Sequence, residues 1–530
     1  MKQNQKRRVK REQPRKDNRM KRVNFDNERL SKFEKAEKEG KFVDPKDTAK
    51  SNDVRWYANN PELLRSAASL PFSYITGQPL PYSNNYAVPG VLALRWDPAV
   101  GSYSSNAVNQ AKDAIYSYVV HANSRNQSYD ATDLMMVILA GAHFFANLAF
   151  GIRAYGVMKM YDQRNKYLPK ALIGAMGFDF DDLQMNLAQM WFDVNQLIAM
   201  STQIWIPKNL PFVERWFWMN SNIYMDGDSV KSQYYMMTPA QMYQFSETAD
   251  TNGTSIQYLN GWAPGTPQTW SQYMTAMNTQ ISALLNSSDR GLMFGDILKA
   301  YGKENIYAIN EIDSSYTVVP VYDREVLTQI ENSVSWNRSL MSITQEVNTN
   351  LIRPHYPATA ANVASGNCIL PNYQVLNFHQ KEIPTPEQIM VATRLKPSGY
   401  QIMRTGAGVI TEAQPRYMGT ETIVNYVMAT WNYGAAEKVN YETFSSIILQ
   451  NSPDMGQLAR WSAFDWSPWL YLYDQNQFPT NGTGTGQDVI GNNVPITAFG
   501  DWDNFTLVSN VELDQMHTTA IYSEFGVPIL

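Results

Sequence analysis

The run LMMVILAGAHFFANLAF, residues 134–150, decides the fold, because a segment this apolar must be buried either in a membrane or in a protein core. Only two of its side chains, His143 and Asn147, are polar, and Arg153 follows closely. A helix that crosses a bilayer needs about 20 consecutive apolar residues, so this run is short for a membrane span. We predict a helix buried in a protein core, with His143 as a core residue rather than a ligand or a base.

Helices dominate the sequence around this run. The pattern predicts one helix over NAVNQAKDAIYSYVVHA (106–122) and a second from Asp130 to about Arg164, with Asp130 as an N-terminal cap. A third is predicted over 180–200, where apolar residues recur at spacings of three and four. Its stripe comprises Leu183, Leu187, Met190, Val194 and Leu197 or Ile198. A short helix from about Pro61 fits the preference for proline in the first turn.

Beyond residue 205 the pattern changes to short aromatic or β-branched runs between turns. Strand-like runs are FVERWFWMNSNIYM (212–225), SQYYMM (232–237), TVVPVY (317–322), YQVLNF (373–378), GAGVITEA (406–413), TIVNYVMATW (422–431) and WLYLY (469–473). Helical pieces alternate with them at 268–285, at 323–334 and near 440–450. This mixture predicts an α+β fold, and the apolar C-terminal run is typical of a docked chain end.

Charge divides the chain into a basic arm and an acidic body. Residues 1–22 contain eleven Lys and Arg against two acidic residues, a net charge of +9, whereas the whole chain carries −5. Residues 23–50 are balanced, so a charge of −14 lies in residues 51–530. Such an asymmetry is typical of a tail that binds nucleic acid or a membrane surface. Residues 1–22 contain no Leu, Phe or Trp and therefore lack an amphipathic membrane anchor.

The basic side chains of this arm are the predicted nucleic-acid-binding residues. Lys and Arg bind phosphates through counterion release and do not read sequence. No aromatic residue interleaves with them, which argues against base stacking. A nuclear-import signal or a solubilising tail are the alternatives. The predicted residues are Lys6, Arg7, Arg8, Lys10, Arg11, Arg15, Lys16, Arg19, Lys21 and Arg22.

The sequence contains none of the standard catalytic signatures. The patterns G-x-S-x-G, H-E-x-x-H and G-x-x-x-x-G-K-[ST] are all absent. The single cysteine, Cys368, rules out an internal disulfide framework, and the five scattered histidines have no zinc-binding spacing. We therefore predict no catalytic site, no metal site and no cofactor.

Two acidic groups have competing interpretations. Asp179, Asp181 and Asp182 stand at the start of a predicted helix, where carboxylates cap free amides. The alternatives are a divalent-cation site, or an unrecognised catalytic site that uses such a cation. Asp226-Gly-Asp228 predicts a turn.

Three segments of the sequence resemble picobirnavirus capsid proteins. Residues 133–182 carry R-x-Y-G at 153–156 and P-x-A-L…A-M-G-x-D at 169–179. The segment NDVRWYANNPELLRSAASLPFSYITGQPL (52–80) is similar to the start of the ordered shell in that family, and SEFGVP (523–528) is similar to its ending. The three segments bracket nearly the whole chain.

The resemblance implies an icosahedral capsid subunit with a predominantly helical shell domain and a mixed α/β projecting domain. On this basis we expect a mostly disordered basic arm at 1–50, a shell domain at 51–205 and 395–530, and a projecting domain at 206–394. The arm's composition agrees, since it cannot bury enough apolar surface to offset the entropy of ordering.

The resemblance also implies partners and a location. The chain is expected to assemble as dimers into a small T=1-like icosahedral shell around a segmented double-stranded RNA genome and the viral polymerase. Assembly is expected in the host cytoplasm, the final location is the virion, and membrane contact is expected when the particle enters a cell. Some relatives cleave their own N-terminal segment, but no residue here is assigned to that reaction. The alternative is a cellular double-stranded-RNA-binding or nuclear scaffold protein.

Overall fold

The structure is a computed structural model with two compact units, residues 1–73 and 74–530. It describes residues 59–69, 87–100, 107–125, 127–160, 168–227, 232–247, 253–261, 266–336, 338–346, 348–356, 371, 373–404, 410–415, 418–432, 439–449, 455–473 and 496–527. In the first unit the described residues form helix α1 (Pro61–Ala67), with proline in its first turn as predicted. The Asn60 side chain accepts a hydrogen bond from the Leu63 amide at 3.1 Å and caps this helix.

The described part of the second unit contains helices and strands in mixed order. The helices are α2 (Ala107–Asn123), α3 (Ala131–Met158), α4 (Leu168–Ala175), α5 (Phe180–Met185), α6 (Leu187–Ser201), α7 (Pro211–Ser221), α8 (Trp270–Leu285), α9 (Arg290–Tyr301), α10 (Arg324–Glu331), α11 (Pro386–Ala392), α12 (Met455–Trp461) and α13 (Asn510–Glu524). The strands are β1 (Ala87–Pro98), β2 (Tyr224–Met225), β3 (Tyr234–Pro239), β4 (Gln241–Glu247), β5 (Thr254–Gly261), β6 (Ser342–Glu346), β7 (Leu351–His355), β8 (Tyr373–Phe378), β9 (Tyr400–Arg404), β10 (Ile410–Pro415), β11 (Glu421–Asn432), β12 (Val439–Phe444), β13 (Ile447–Leu449), β14 (Leu470–Tyr473), β15 (Ile496–Phe499) and β16 (Asn504–Ser509).

Helix α3 is the centre of the core, as the apolar run predicts. Every residue of its most apolar window is buried in this fold. It packs against α6, α7 and α8 and against β4 and β5. The Asp130 amide donates a hydrogen bond to the Asp133 carboxylate at 3.0 Å, which satisfies one free amide at the helix start. The helix ends at Met158, earlier than the predicted end near Arg164.

A five-stranded sheet lies beside this helical core. Its order is β12-β11-β1-β3-β2, with β1 antiparallel to β11 and parallel to β3. Residues Val91 to Leu94 of β1 are fully buried, as expected for a central strand covered on both faces. The sheet therefore joins segments that are far apart in the sequence.

Four smaller sheets complete the described strands. Strands β4-β5-β6-β7 form a four-stranded sheet, β13-β14-β15 a three-stranded sheet, and β10-β9 and β16-β8 two pairs. One hydrophobic cluster contains buried residues from Val91 to Phe525. The predicted domain boundaries at 205/206 and 394/395 stay a prediction.

Two sequence patterns that predicted strands have a different structure. The run 212–225 forms α7 followed by the short strand β2. In α7 the buried Phe212, Val213, Trp216 and Met219 recur with helical spacing, and a proline occupies the first turn. The many aromatic residues of this run suggested a strand and obscured the helical period of its buried residues. The run 317–322 lies outside the named strands and makes one isolated bridge, between Val321 and Tyr224.

Two predicted helices are also corrected. The helix predicted over 180–200 is split at Asn186, which ends α5 and begins α6. Its Nδ2 donates to the Asp182 carbonyl at 2.9 Å, and such local side-chain bonding competes with a continuous helix. The helix predicted near 440–450 is wrong, because that segment forms β12 and β13. Pairing of β12 with β11 overrides the local helical pattern.

Candidate functional site

The predicted nucleic-acid-binding residues fall on a part of the chain that the structure leaves undescribed. All ten, from Lys6 to Arg22, lie outside the described residues, and so does Cys368. The candidate sites that the structure describes are therefore in the acidic body.

The acidic group at 179–182 acts as helix caps. Asp179 Oδ1 accepts hydrogen bonds from the amides of Asp181 and Asp182 at 3.0 and 3.2 Å. Asp182 Oδ2 accepts from the amide of Trp270, the first residue of α8, at 2.7 Å. The capping interpretation is confirmed, because these carboxylates satisfy amides at two helix starts. Among the described residues, no group of three or more His, Cys, Asp or Glu side chains could hold a metal ion.

Asp226 and His143 also have the structural roles predicted for them. Asp226 Oδ1 accepts a hydrogen bond from the Gln233 amide at 2.9 Å and closes a turn, while Asp228 lies outside the described residues. His143 is buried and its Nε2 accepts from the Tyr243 amide at 3.3 Å. Burial lowers the pKa of His143 to about 3, so the ring is neutral at pH 7.

A buried ion-pair network, which no sequence pattern indicated, joins four segments of the body. Glu421 Oε1 at the start of β11 accepts from Nε and Nη2 of Arg215 on α7, at 2.9 and 2.6 Å. Arg394, after α11, lies 3.9 Å from Glu421 and 2.8 Å from Glu524 on α13. The Thr420 hydroxyl lies within hydrogen-bonding distance of both Glu421 and Glu524. The network therefore links the C-terminal helix to the five-stranded sheet.

The electrostatics of Glu421 follow from this geometry. Its side chain is fully buried, and burial alone would raise the pKa of the carboxyl group. The guanidinium groups of Arg215 and Arg394 outweigh that effect and hold the pKa of Glu421 below its ordinary value. The ionised form is thus the stable one at neutral pH.

A second group of charges lies around His379, which lines a cavity of about 500 Å³. His379 Nε2 lies 3.0 Å from Glu331 Oε1, and this carboxylate raises the pKa of His379. Burial lowers the pKa of the nearby Lys396 to about 7. Residues around the cavity include His379, Phe464, Asp465, Trp466, Phe499 and Asp501. His379 and two carboxylates, Asp465 and Asp501, give this cavity a polar wall.

Large apolar side chains are exposed at many positions of the described surface, among them two groups that lie on neighbouring elements. One group lies at the junction of α5 and α6 and consists of Met185, Trp191 and Phe192. The other lies on and beside β16 and contains Tyr373, Trp502, Phe505 and Leu507. Clustered exposed apolar side chains mark surfaces that contact other proteins.

Comparison with known proteins decides the family. The sequence profile of picobirnavirus capsid proteins matches residues 56–452. The chain belongs to the picobirnavirus capsid protein family. Membership of a capsid protein family supports a structural role for this chain.

Individual relatives agree with the family match. The chain is 28% identical over 523 residues to a capsid protein precursor of human picobirnavirus, covering 90% of this chain and 91% of the relative. The X-ray crystallographic structure of the picobirnavirus capsid matches with a TM-score of 0.73 and 24% identity, over 89% of this chain and 98% of that chain. The fold is therefore that of a picobirnavirus capsid protein.

Family membership confirms the resemblance found in the sequence. This picobirnavirus capsid protein is therefore a structural component of the virion. The alternative of a cellular scaffold protein is excluded. The sequence motifs at 153–156 and 169–179 lie within the matched range.

Proposed function

We propose that this capsid protein assembles as dimers into a small T=1-like icosahedral shell around a segmented double-stranded RNA genome, with the viral polymerase inside. The shell forms in the host cytoplasm, and the basic arm faces the interior and contacts RNA. The observation that carries the proposal is the charge division: +9 in residues 1–22 on a capsid body that carries −14. An acidic body without a basic arm would repel the genome.

The arm neutralises only part of the RNA charge. Each subunit brings +9, whereas a duplex carries two phosphate charges per base pair. The ten predicted side chains, Lys6 to Arg22, bind phosphates without reading bases, so each arm binds weakly and the shell binds through many arms together. Small counterions balance the remaining phosphates, and RNA retention falls as salt is added.

The division into a shell domain and a projecting domain is part of the same proposal. Strands β2 and β3 belong to the five-stranded sheet, while β4 begins a separate four-stranded sheet. This pairing supports a projecting part that starts after Pro239, later than residue 206. The shell domain then contains β1, β11 and β12 together with β2 and β3.

Processing of the arm is a further element of the proposal. A relative carries the name capsid protein precursor, which supports removal of a segment from that protein. Mass spectrometry of the assembled subunit tests whether this chain is shortened in the same way. A shell subunit with the full mass would contradict processing.

The central experiment compares RNA content among four versions of the full chain. These are the wild type, a deletion of residues 2–22, a variant with the order of residues 2–22 scrambled, and a variant with their Lys and Arg replaced by Gln. Negative-stain microscopy measures shell formation, and the ratio of absorbance at 260 and 280 nm measures RNA content.

We expect discrete shells of uniform size from all four. RNA content should be retained in the scrambled variant and lost in the deletion and Gln variants, because net charge and not sequence binds phosphate. A chain that stays monomeric at high concentration and near-neutral pH would refute shell assembly. Shells of the Gln variant with wild-type RNA content would refute the role of the arm.

A further inference from the structure

The pair of strands β8 and β16 has one closed edge and one open edge. On the β8 side, the amide of Val375 donates to the Tyr471 hydroxyl at 3.2 Å, and the amide of Asn377 donates to Asn332 Oδ1 at 2.8 Å. Both amides therefore point away from β16. Side chains of other segments satisfy them and close this edge to a further strand.

The same geometry fixes the orientation of the backbone on β16. Phe505 lies opposite Asn377 and Leu507 lies opposite Val375. In an antiparallel pair, opposite residues both face their partner strand or both face away. The N–H and C=O groups of Phe505 and Leu507 therefore point to the outer edge, where they have no partner among the described residues.

The remaining amide on that edge is already used. Ser509 N–H donates to Glu512 Oε2 at 2.8 Å as part of the cap of α13. Strand β16 has the sequence NFTLVS, without a charge, a lysine or a proline, and its pairing with β8 contains no bulge. Charged side chains, proline and bulges normally protect an exposed strand edge from pairing with another strand. Because β16 has none of them, its outer edge is open to pairing.

Exposed apolar side chains lie on the same strand. Phe505 is 48% and Leu507 is 56% exposed, whereas Val508, on the other face, is buried in a small cluster with Leu376 and Leu513. The Trp502 ring packs on Phe505 with ring centres 4.6 Å apart. We define the edge patch as Tyr373, Ile383, Trp502, Phe505, Leu507 and Val511, all of them exposed.

The area of the edge patch is large enough for a stable contact. An aromatic side chain has about 150–250 Å² of surface, and the six partly exposed side chains present on the order of 700 Å² per copy. This is near the ~800 Å² per partner of a standard protein interface.

We propose that β16 pairs antiparallel with β16 of a second copy of this chain across a two-fold axis. The inference rests on the proposed self-assembly and names the surface that carries one of its contacts. An isologous contact suits an uncharged strand that offers the same groups from both copies. Residues 1–22 of the arm are a poor occupant, because they have no Leu, Phe or Trp to cover the patch.

In one register of the β16 pair, the unpaired amides of Phe505 and Leu507 in each copy all form hydrogen bonds to the other copy. This register places Phe505 opposite Leu507 of the second copy, and Thr506 opposite its own equivalent at the axis. The result is a four-stranded sheet across two copies, in which Phe505 and Leu507 form apolar cross-strand pairs. The Thr506 pair is a non-hydrogen-bonded one, with a Cα–Cα distance of about 4.5 Å.

That distance makes a disulfide the sharpest test. A disulfide forms between Cα atoms about 4.4–6.8 Å apart. We design Thr506→Cys in the full chain with Cys368→Ser, so that one cysteine remains. The matched control is Thr275→Cys in the same background, since Thr275 is exposed on α8 and outside the patch. Assembled shells are oxidised and run on a non-reducing gel.

We expect the Thr506→Cys subunit to migrate mostly as a covalent dimer and the control to stay monomeric. A second pair of variants, Leu507→Lys and Leu292→Lys, tests the contact without a covalent cross-link. Leu292 is exposed on α9 and serves as the control. Leu507→Lys should weaken subunit association at least tenfold in sedimentation experiments, with an unchanged unfolding midpoint, while Leu292→Lys should not.

The outcomes separate this inference from the proposed function. Intact shells in which Thr506→Cys gives no cross-link above the control would overturn the β16 contact and leave shell assembly standing. Wild-type association of the Leu507→Lys variant would overturn the contact as well. A wild-type chain that never assembles would overturn the proposed function itself.

Discussion

Replacement of Glu421 by Gln should destabilise the subunit by about 3 kcal/mol. The two hydrogen bonds from Arg215, at 2.9 and 2.6 Å, then end on a neutral oxygen instead of a carboxylate. Hydrogen bonds to charged groups are worth roughly 1–1.5 kcal/mol more than neutral ones, which gives about 2–3 kcal/mol for the pair. Arg394, 3.9 Å away, keeps only Glu524 as a charged partner, which moves the total toward the ~3–5 kcal/mol lost when a buried ion pair is broken.

The assay is urea unfolding of unassembled subunits, followed by tryptophan fluorescence at pH 7. The matched control is Glu442→Gln, which removes the carboxylate from the 2.8 Å pair with Arg460 at a more exposed site. We expect about 1 kcal/mol or less for this control, because solvent screens such pairs. Equal unfolding midpoints for the two variants would refute the reasoning that burial amplifies the Glu421 pair.

The pH dependence supplies an independent check on the same variant. Because the folded-state pKa of Glu421 is lowered, its stabilisation is complete above the ordinary value of 4.5 and is lost as the pH falls through the folded-state pKa. The difference between wild type and Glu421→Gln should therefore be constant from pH 6 to 8 and shrink below pH 4.5. A difference that grows in acid would contradict the assigned direction.

Two further predictions concern two helix glycines and a buried carboxyl group. Gly151→Ala in α3 should destabilise the subunit by about 1–3 kcal/mol, because the new Cβ would overlap the Tyr273 hydroxyl. Gly295→Ala in α9 meets no atom within 4 Å and should stabilise it by up to about 1 kcal/mol, and thermal unfolding of both variants checks the opposite signs. Burial raises the pKa of Asp97 to about 7, so its contribution to stability is complete below pH 3.8 and is lost as the pH rises through 7. Asp97→Asn should remove most of this pH-dependent loss of unfolding free energy, which is roughly 4 kcal/mol. A variant that keeps the wild-type pH profile of stability between pH 4 and 8 would contradict this prediction.

The sequence predicted the elements whose patterns are long and regular. The apolar run at 134–150 must be buried wherever it lies, so α3 follows from composition alone. The prediction failed where aromatic residues obscure a helical period, as in α7, and where distant pairing decides the conformation, as in β12. Local propensity carries no information about a partner strand, which explains the second error.

The candidate sites also show that sequence patterns report local features and not contacts between distant segments. The charge of the arm can be read from composition, since phosphate binding depends on net charge. Arg215, Arg394 and Glu421 form no local motif, and only the fold brings them together. The sequence also could not predict the open edge of β16. Its orientation follows from the amides of β8 that bond to side chains of other segments, and only the fold shows those contacts.

The order of the five-stranded sheet has a consequence for synthesis of the chain. Arg95 on β1 hydrogen-bonds Asn425 on β11, 330 residues later. At a synthesis rate of about 5–20 residues per second, β1 waits roughly 15–65 s on the ribosome before this neighbour exists. A chain truncated before β11 therefore leaves one edge of β1 unpaired and cannot complete the sheet. Completion of the five-stranded sheet therefore requires translation through β12, which ends at Phe444.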